Sequence, residues 1–581
     1  MGIKARLRWP DEAGGRGSGF ARQSGWVLCL IGLIVSPGAA SAQEGPVTAS
    51  PPTPGPFGLT PGAFTTAPGA FGAPPPIAGA ATPGAAAAPL AIPAVPPAWL
   101  LTPALTLGQT FDDNVNLAPA GSRMWDFITS ITPELDLAGN TGRTTVALTY
   151  DPQALIFARS SPNAVLQQRL LGTGTATLWP ETLFFDASAG IGQTFLRPTA
   201  PVGLSTITTS NNLTTTYATN ASPYLREHLG SIADSESRYR FTTASTSAPG
   251  IADEQTHELR QTLVSGDAFG RLGGQLTGDF TRLNRGHDPT DPLSGISSKD
   301  ELARADLHYP VYGAVSIVGG VGWERITDPT LSPQPKGLIW DAGFAYQPNP
   351  LVAVSLTYGR RFSTTDIEFN GTYNLDPALR LSAIYTQTVQ TSLSQIAGTT
   401  NQTTIDPVTG RPVAAGGTAP TTGTLSSFGI SSGSFLAKTA ELAATLIEDR
   451  NTYSATLTET TQHATSATQL NAALSLGGQS QILATSASLV TAQRIVGGGL
   501  TWARQMWPDL TTTAGASYYR TTFLDGSGRN DNTYALSLAF TYLLSRTASA
   551  TLSLSRLDLR SNIAVDSLVD NTVTATIRKQ F

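Results

Sequence analysis

The chain has 581 residues, of which 13% are charged and 40% hydrophobic, with 57 glycines, a mean hydropathy of -0.03 and a formal net charge of -5. Low charge without an apolar run long enough to cross a bilayer as a helix is unusual for a soluble enzyme. It suits a membrane barrel, whose alternate residues face lipid and a polar interior. The small acidic charge and scattered basic residues argue against a nucleic-acid partner.

In chain order, residues 1–42 read as a secretory signal. Lys4, Arg6, Arg8, Arg16 and Arg22 give a basic start, Trp26 to Val35 a short apolar core, and Ala40-Ser41-Ala42 a small-x-small cleavage site. The single cysteine, Cys29, lies inside that core, which argues against lipoprotein anchoring and leaves the mature chain without a thiol for disulfides, metal ligation or nucleophilic catalysis. Residues 43–100 are rich in Pro, Ala and Gly, and Thr60-Pro-Gly-Ala-Phe64 is echoed by Ala67-Pro-Gly-Ala-Phe71. Such a stretch buries too little apolar surface to offset ordering, so it is expected to be a disordered periplasmic linker.

From Leu101 to Phe581 the pattern has period two. Tyr534, Leu536, Leu538, Phe540 and Tyr542 alternate with Ala535, Ser537, Ala539 and Thr541, and similar alternation occurs around 315–323, 352–359 and 453–457. Segments such as 313–325, 351–362 and 532–545 exceed the ~5–6 residues of soluble strands and match tilted spans with rims. Short turns are expected at 179–181, 309–311, 347–350, 376–378, 507–509 and 545–547, all but the last containing Pro. Long polar loops are expected between them, at 196–212, 284–298, 326–336, 392–434 and 524–531. Trp179, Tyr309 and Trp507 precede their prolines, where an interfacial aromatic girdle would lie. The expected fold is therefore all-β: a transmembrane antiparallel up-and-down β-barrel of about 22 strands (range 18–22), with a weaker pattern over 213–230 and 465–490. Counting back by twos from the end gives Phe581, Lys579, Ile577, Ala575 and Val573. A terminal aromatic on an amphipathic strand, with Ile577 and Val573 behind it, resembles the signal read by the barrel assembly machinery. Lys579 departs from the usual apolar residue, although its stem can snorkel at a rim.

The first hairpins carry Phe111-Asp-Asp-Asn-Val-Asn-Leu-Ala-Pro119, Trp125-Asp-Phe-Ile-Thr-Ser-Ile-Thr-Pro133, Gly142-Arg143, Tyr150 and Leu183-Phe-Phe-Asp-Ala-Ser-Ala189. Further on come Ser222-Pro-Tyr-Leu-Arg226, Arg238-Tyr239-Arg240 and Tyr358-Gly-Arg-Arg361. Over roughly 100–581 this resembles outer-membrane barrels associated with exopolysaccharide and PEP-CTERM (exosortase) systems. The resemblance implies a role at the outer membrane in polysaccharide production or export, and it carries over no catalytic residue.

Candidate chemistry is sparse. Asp112, Asn114 and Asn116 have the 1-3-5 spacing of a calcium loop, but Leu117 replaces the required Gly and Arg123 stands where the closing Glu belongs, so Asx turns in a hairpin loop are the better reading. His228, His257, His287, His308 and His463 show no metal-binding spacing. His287-Asp288 falls in a loop, where a dyad is a weak signal. Adjacent Arg360 and Arg361 face opposite ways on a strand, so one should point into the lumen and the other sit near a rim, because an Arg facing lipid at the midplane costs ~2–4 kcal/mol. The candidate lumen charges are Arg226, Glu227, Arg238, Arg240, Glu324 and Arg360, with Arg260 and Arg304 beside them. They would either line an ion- or sugar-selective pore or brace a plugged barrel through salt bridges. The expectation is a non-enzymatic barrel, porin-like or an accessory of exopolysaccharide export, with no cofactor or metal. Its partners would be outer-membrane lipid, the assembly machinery and polysaccharide or small solutes. A surface adhesive barrel and an outer-membrane hydrolase are the alternatives.

Overall fold

The computed structural model describes residues 98–581 except 161, 198–199, 201, 292, 332–333, 375–377, 402–403, 406–411, 414–428, 432, 465–491 and 525–526. The predicted signal and nearly all of the predicted linker lie outside the described residues.

The described residues form a closed antiparallel barrel of 22 strands with one short α-helix. Its sheet has 24 hydrogen-bonded segments. Two pairs of these continue one another across brief interruptions at Asp151-Pro152 and Gln168-Arg169, which gives 22 barrel strands. In order they are β1 (Trp99–Asp112), β2 (Asp126–Asn140), β3 (Thr144–Tyr150 with Gln153–Phe157), β4 (Ala164–Gln167 with Leu170–Trp179), β5 (Leu183–Phe195), β6 (Leu213–Leu229), β7 (Ala233–Thr246) and β8 (Glu254–Ser265). Then follow β9 (Gly273–Arg285), β10 (Ser297–Tyr312), β11 (Val315–Thr327), β12 (Lys336–Asn349), β13 (Val352–Arg361), β14 (Thr364–Asn374) and β15 (Leu379–Gln390). After the helix α1 (Ser392–Asn401) come β16 (Phe435–Glu448), β17 (Asn451–Ala464), β18 (Gln493–Trp507), β19 (Leu510–Phe523), β20 (Asn530–Ser545), β21 (Ala548–Ser561) and β22 (Leu568–Gln580). Each strand pairs with its sequence neighbours. The last closes on the first in a register that runs from Ala104 opposite Gln580 to Asp112 opposite Thr572, so no edge remains open. The weakly patterned stretch 213–230 forms the complete strand β6.

The interruption in β3 and β4 has a local cause. Pro152 cannot donate to a ladder, and across the gap Arg169 forms an ion pair with Asp151 at 2.5 Å.

Alternation assigns the two faces. On β11, Val315, Ile317, Val321 and Trp323 are exposed, whereas Val318, Glu324 and Ile326 between them are buried. The first set belongs on the lipid side and the second lines the lumen. Trp179, Tyr309, Tyr312 and Trp507 stand exposed at the end of the barrel that carries the short turns. Toward the other end a second outward group pairs Phe111 with Phe127, Trp340 with Tyr358 and Tyr518 with Tyr534. Together they form two aromatic belts at opposite heights.

Turns and loops separate by end. The turns after β4, β10, β12, β18 and β20 lie at one end, and the long connections 196–212, 286–296, 328–335, 391–434 and 524–529 at the other. The turn expected at 309–311 is displaced. Tyr309 and Pro310 remain in β10, a bulge falls between Pro310 and Tyr312, and the chain reverses at Gly313, whose φ of 53° is open to glycine at no cost. The turn expected at 376–378 lies mostly outside the described residues. One connection at the loop end is itself tight: Phe362 and Ser363 have φ of 51° and 61°, the left-handed pair of a two-residue hairpin. That conformation is unfavourable for a Phe, and burial of its ring with Ile326, Leu331 and Leu436 offsets the cost.

Candidate functional site: a lumen filled at its loop end

The lumen wall has two arcs. From β5 to β14 it carries charges joined strand to strand. Arg238 bridges Asp186 and Glu236 at 2.9 Å each, and Arg226 reaches the same Glu236 at 2.9 Å. Arg240 and Arg260 share Glu258 at 2.8 and 3.1 Å, and Arg260 also holds Asp279 at 2.8 Å. Arg304 bonds Asp306 and Asp341 at 2.6 and 2.5 Å, and Arg361 bonds Glu324 at 2.7 Å. From β17 through β22 to β1 the inward positions are mostly hydroxyls, with Thr458 and Thr460 on β17, a 3.0 Å bond between Thr110 and Thr574, and a 2.5 Å bond between Ser555 and Thr572. At the seam, Arg578 of β22 crosses β1 to make a two-pronged bond with Glu134 of β2 at 2.9 and 3.1 Å.

The structure thus brings together Arg226, Arg238, Arg240 and Glu324 of the predicted lumen charges, with Arg260 and Arg304. Glu227 and Arg360 fall on the opposite parity. Glu227 shares the outward face with exposed Leu225 and Leu229, and Arg360 pairs in register with outward Trp340. Of the adjacent arginines it is Arg361 that turns inward. Arg360 has outward companions at the same end of the barrel, Arg282, Lys299, Arg325 and Lys336, all exposed.

At the loop end the lumen is occupied. Helix α1 lays Leu393, Ile396 and Ala397 against inward-facing Ala218 of β6 and Ala244 of β7, with Ile251 and Ile430 completing the cluster. Gly190 of β5 makes room for it, since a Cβ there would stand 2.9 Å from the Thr400 hydroxyl. The helix start is capped reciprocally: the Ser394 N–H donates to the Thr391 hydroxyl (3.0 Å), and the Thr391 N–H to the Ser394 hydroxyl (2.9 Å). A second cluster packs Leu117 and Phe195 onto Leu557, Leu559 and Leu568 of β21 and β22. A third packs Val115 onto Ile128, Leu155 and Phe157, with Ile207 beside it. The loops also hold one another. The Thr208 hydroxyl donates to the Val115 carbonyl at 2.6 Å, the Ile430 N–H to the Leu196 carbonyl at 2.8 Å, and the Thr206 main chain and side chain engage Gln167.

A buried polar knot fastens both ends of the longest loop. The Arg285 guanidinium has no exposed surface and lies 3.8 Å from Glu254 and 3.7 Å from Asp328. Thr391, at the loop's start, donates to Glu254 at 2.5 Å. Ser434, at its end, donates to Asp328 at 2.6 Å and accepts from Arg285 at 3.2 Å. Removing one member of a buried ionic set leaves its partners uncompensated, at a cost of ~3–5 kcal/mol. These bonds fasten the two ends of the loop, Thr391 to Glu254 of β8 and Ser434 to Asp328 just beyond β11. Nearby, Thr290 and main-chain donors hold the Asp288 carboxyl below its usual range, whereas burial, with Asp288 adding to it, pushes Asp253 up.

The hairpin after β1 forms the expected Asx turns. The Asn114 N–H donates to Asp112 at 2.7 Å, and the Asn116 side chain spans the Ser122 carbonyl and the Met124 N–H. The histidines are dispersed. His228 meets Asp234 at the short-turn end, His257 meets the Tyr239 hydroxyl on the outer wall, and His287 is exposed. The knot was missed in the sequence because its members are far apart along the chain. The single local hint is that Leu283 and Arg285 continue the inward alternation of β9.

Comparison with known proteins agrees with the architecture. The model of a family described as "Putative beta-barrel porin 2" matches residues 452–581, the last part of the barrel. No curated protein matches the chain. Similar solved structures include the siderophore receptor PiuA from Acinetobacter baumannii (10% identity, 82% of each chain, TM-score 0.44). The siderophore receptor PirA from the same organism is also similar (8% identity, 83% of this chain and 80% of that one, TM-score 0.45). So is a mutant of the ferric enterobactin receptor PfeA from Pseudomonas aeruginosa (11% identity, 83% and 80%, TM-score 0.45). Likeness of that order concerns barrel architecture alone. The fold is that of an outer-membrane β-barrel.

Proposed function

We propose that this barrel is a porin-like, non-enzymatic conduit for small hydroxyl-rich solutes, serving exopolysaccharide production or export, with its outer mouth narrowed by its own loops. The observation that carries the reading is the packing of α1 and loop 196–212 onto inward-facing wall residues. An arc whose arginines from β6 to β13 are held by acids, facing an arc of hydroxyls, suits hydroxyl-rich solutes. The resemblance of the first hairpins to barrels of polysaccharide systems supports a glycan as the solute class. Residues 1–42 serve as the export signal and the Pro-rich stretch as a periplasmic linker that ends before Trp99, where β1 begins, two residues short of the expected boundary at 100. Assembly runs through the terminal strand and Phe581. The adhesive alternative is less favoured, because Leu117, Leu393, Ile396 and Ile430 at the loop end turn their side chains into the barrel.

The test is single-channel conductance of the refolded chain in planar bilayers, with oligosaccharides added to one side. A small conductance, blocked by neutral oligosaccharide, is expected. A large conductance indifferent to sugar would overturn the narrowed-mouth reading, and no conductance at all would favour a braced, plugged barrel.

A further inference from the structure

The seam where β22 meets β1 ends, at the loop end, in three carboxylates. Asp112 is the last residue of β1, Asp113 follows it, and Asp570 enters from β22, 458 residues away from Asp112 in sequence but beside it in space. One oxygen from each lies within 4.8 Å of the others. Asp112 and Asp570 are buried, Asp570 to 5% exposure. Among the described residues no basic side chain forms an ion pair with any of the three, Arg123 of the adjoining hairpin included. Their positions are fixed by the backbone. Asp112 accepts the Asn114 N–H at 2.7 Å. Asp113 accepts both the main-chain N–H and the side-chain amide of Asn571, at 2.8 and 2.6 Å. The Asn114 amide reaches across to the Val569 carbonyl at 3.0 Å, and the Asp113 N–H donates to the Asn571 carbonyl at 3.2 Å.

What this arrangement leaves over is Oδ1 of Asp570, which is buried and accepts from no N–H donor, its carboxyl lying within hydrogen-bond reach of the like-charged Asp112 carboxyl. Burying carboxylates together without a counter-charge is costly, because each is stripped of water and repelled by its neighbours. A hard divalent cation removes both costs. Two ligands of one calcium ion, each ~2.3–2.6 Å from it, can stand up to ~4.6–5.2 Å apart, a span that accommodates this set, whereas the ~2.0–2.1 Å shell of magnesium is tighter. An all-carboxylate donor set is also the kind that hard cations take and soft metals do not.

We infer that Asp112, Asp113 and Asp570 form a calcium site that staples the first strand of the barrel to the last. The failed 1-3-5 spacing of 112–116 is then no contradiction, because the third acid comes from the other end of the chain and not from the loop. The role is structural: the ion ties the closing pair of strands where the ladder between them runs out.

The test uses the full chain, refolded in zwitterionic detergent without lipopolysaccharide and stripped with EDTA. Calorimetric titration with calcium chloride should show one ion per barrel. The temperature at which the folded band is lost on a gel should rise by several degrees in calcium, and by less in magnesium at equal concentration. Asp570→Asn and Asp113→Asn should each abolish the binding heat and the calcium-dependent rise, while Asp234→Asn, at the opposite end, should leave both intact. In EDTA, Asp570→Asn should outlast the wild type, since one of three crowded charges is gone. If Asp570→Asn does not fold, Asp113→Asn decides alone. Absence of binding heat in the wild type, as an aspartate pair sharing a proton would give, would overturn the site. So would unaltered binding in both variants. An equal response to magnesium would overturn the choice of calcium.

Discussion

At the short-turn end of the barrel the chain reverses at once, as at Gly313 after β10 and at Pro508-Asp509 after β18, and large apolar side chains such as Trp179, Tyr312 and Trp507 face outward. At the loop end the chain makes excursions that return inward, burying Leu117, Phe195, Leu393 and Ile396 inside the barrel and an arginine with no exposed surface beneath them. Both ends carry outward aromatics for the membrane interface, and the loop end in addition buries apolar side chains in its own mouth. The same strands serve both purposes because alternation gives each an outward and an inward face. At the loop end the inward positions include Ile128, Ala218 and Leu557, on which the loops pack.

The sharpest way to break this comparison is topological. An epitope tag after Gly410, in the longest loop, should be reached by antibody on intact cells. A tag after Asn349, in a short turn, should be reached only once the outer membrane is opened. Reversed labelling would invert the barrel. If both tags stayed hidden on intact cells, the whole of loop 392–434 would lie in the lumen as a constriction.

Next in size is assembly at the short-turn end. The Phe581 N–H donates to the Pro103 carbonyl at 2.9 Å, so the last residue joins the closing seam, with its ring exposed. Deleting Phe581 should lower the amount of folded, heat-modifiable barrel in the outer membrane severalfold. Wild-type levels in the deletion would show that Ile577 and Val573 suffice.

How far the sequence disclosed all this differs between the two ends. The lipid-facing stripe, the strand number and most turn positions were legible, because they rest on period-two alternation and on proline, both local signals. Arg226, Arg238, Arg240 and Glu324 were legible as lumen candidates for the same reason. Glu227, beside Arg226, and Arg360, beside Arg361, were candidates too, and strand parity puts both on the outer face. Pro310 misled in a different way: a bulge accommodates its missing N–H inside β10 and shifts the turn to Gly313. The filling of the mouth was not legible. Glu254, Arg285, Asp328, Thr391 and Ser434 meet only when four separate connections converge, and Asp112 finds Asp570 only when the barrel closes.

At the loop end, Arg285→Ala should release the longest loop while the ladder-held strands remain. Ser434 would lose its Arg285 donor, and Glu254 and Asp328, to which Thr391 and Ser434 donate, would be left unneutralised in a dry site. The expected readouts are a severalfold rise in conductance and faster proteolysis in 392–434, with the gel mobility of the folded barrel kept. Global unfolding would mean that the knot holds the wall as well as the loop.

The smallest effect is expected where the chain has least to contribute to the barrel. The pairing of β1 with β2 begins at Trp99 opposite Gly139, and the pairing of β1 with β22 begins at Ala104 opposite Gln580. Among the described residues both ladders therefore start after the Pro-rich stretch. Fusing the predicted signal directly to Pro97 should leave insertion, heat-modifiability and conductance unchanged. Such a result would confine the work of this segment to whatever it meets in the periplasm, outside the contrast between the two ends. If the signal were processed normally and the barrel nevertheless failed to fold, the short-turn end would depend on more than its own turns. Its apparent simplicity would then reflect the described residues and not the working barrel. An intermediate outcome, normal insertion with altered conductance, would assign the segment to the lumen and make the short-turn end as occupied as the other.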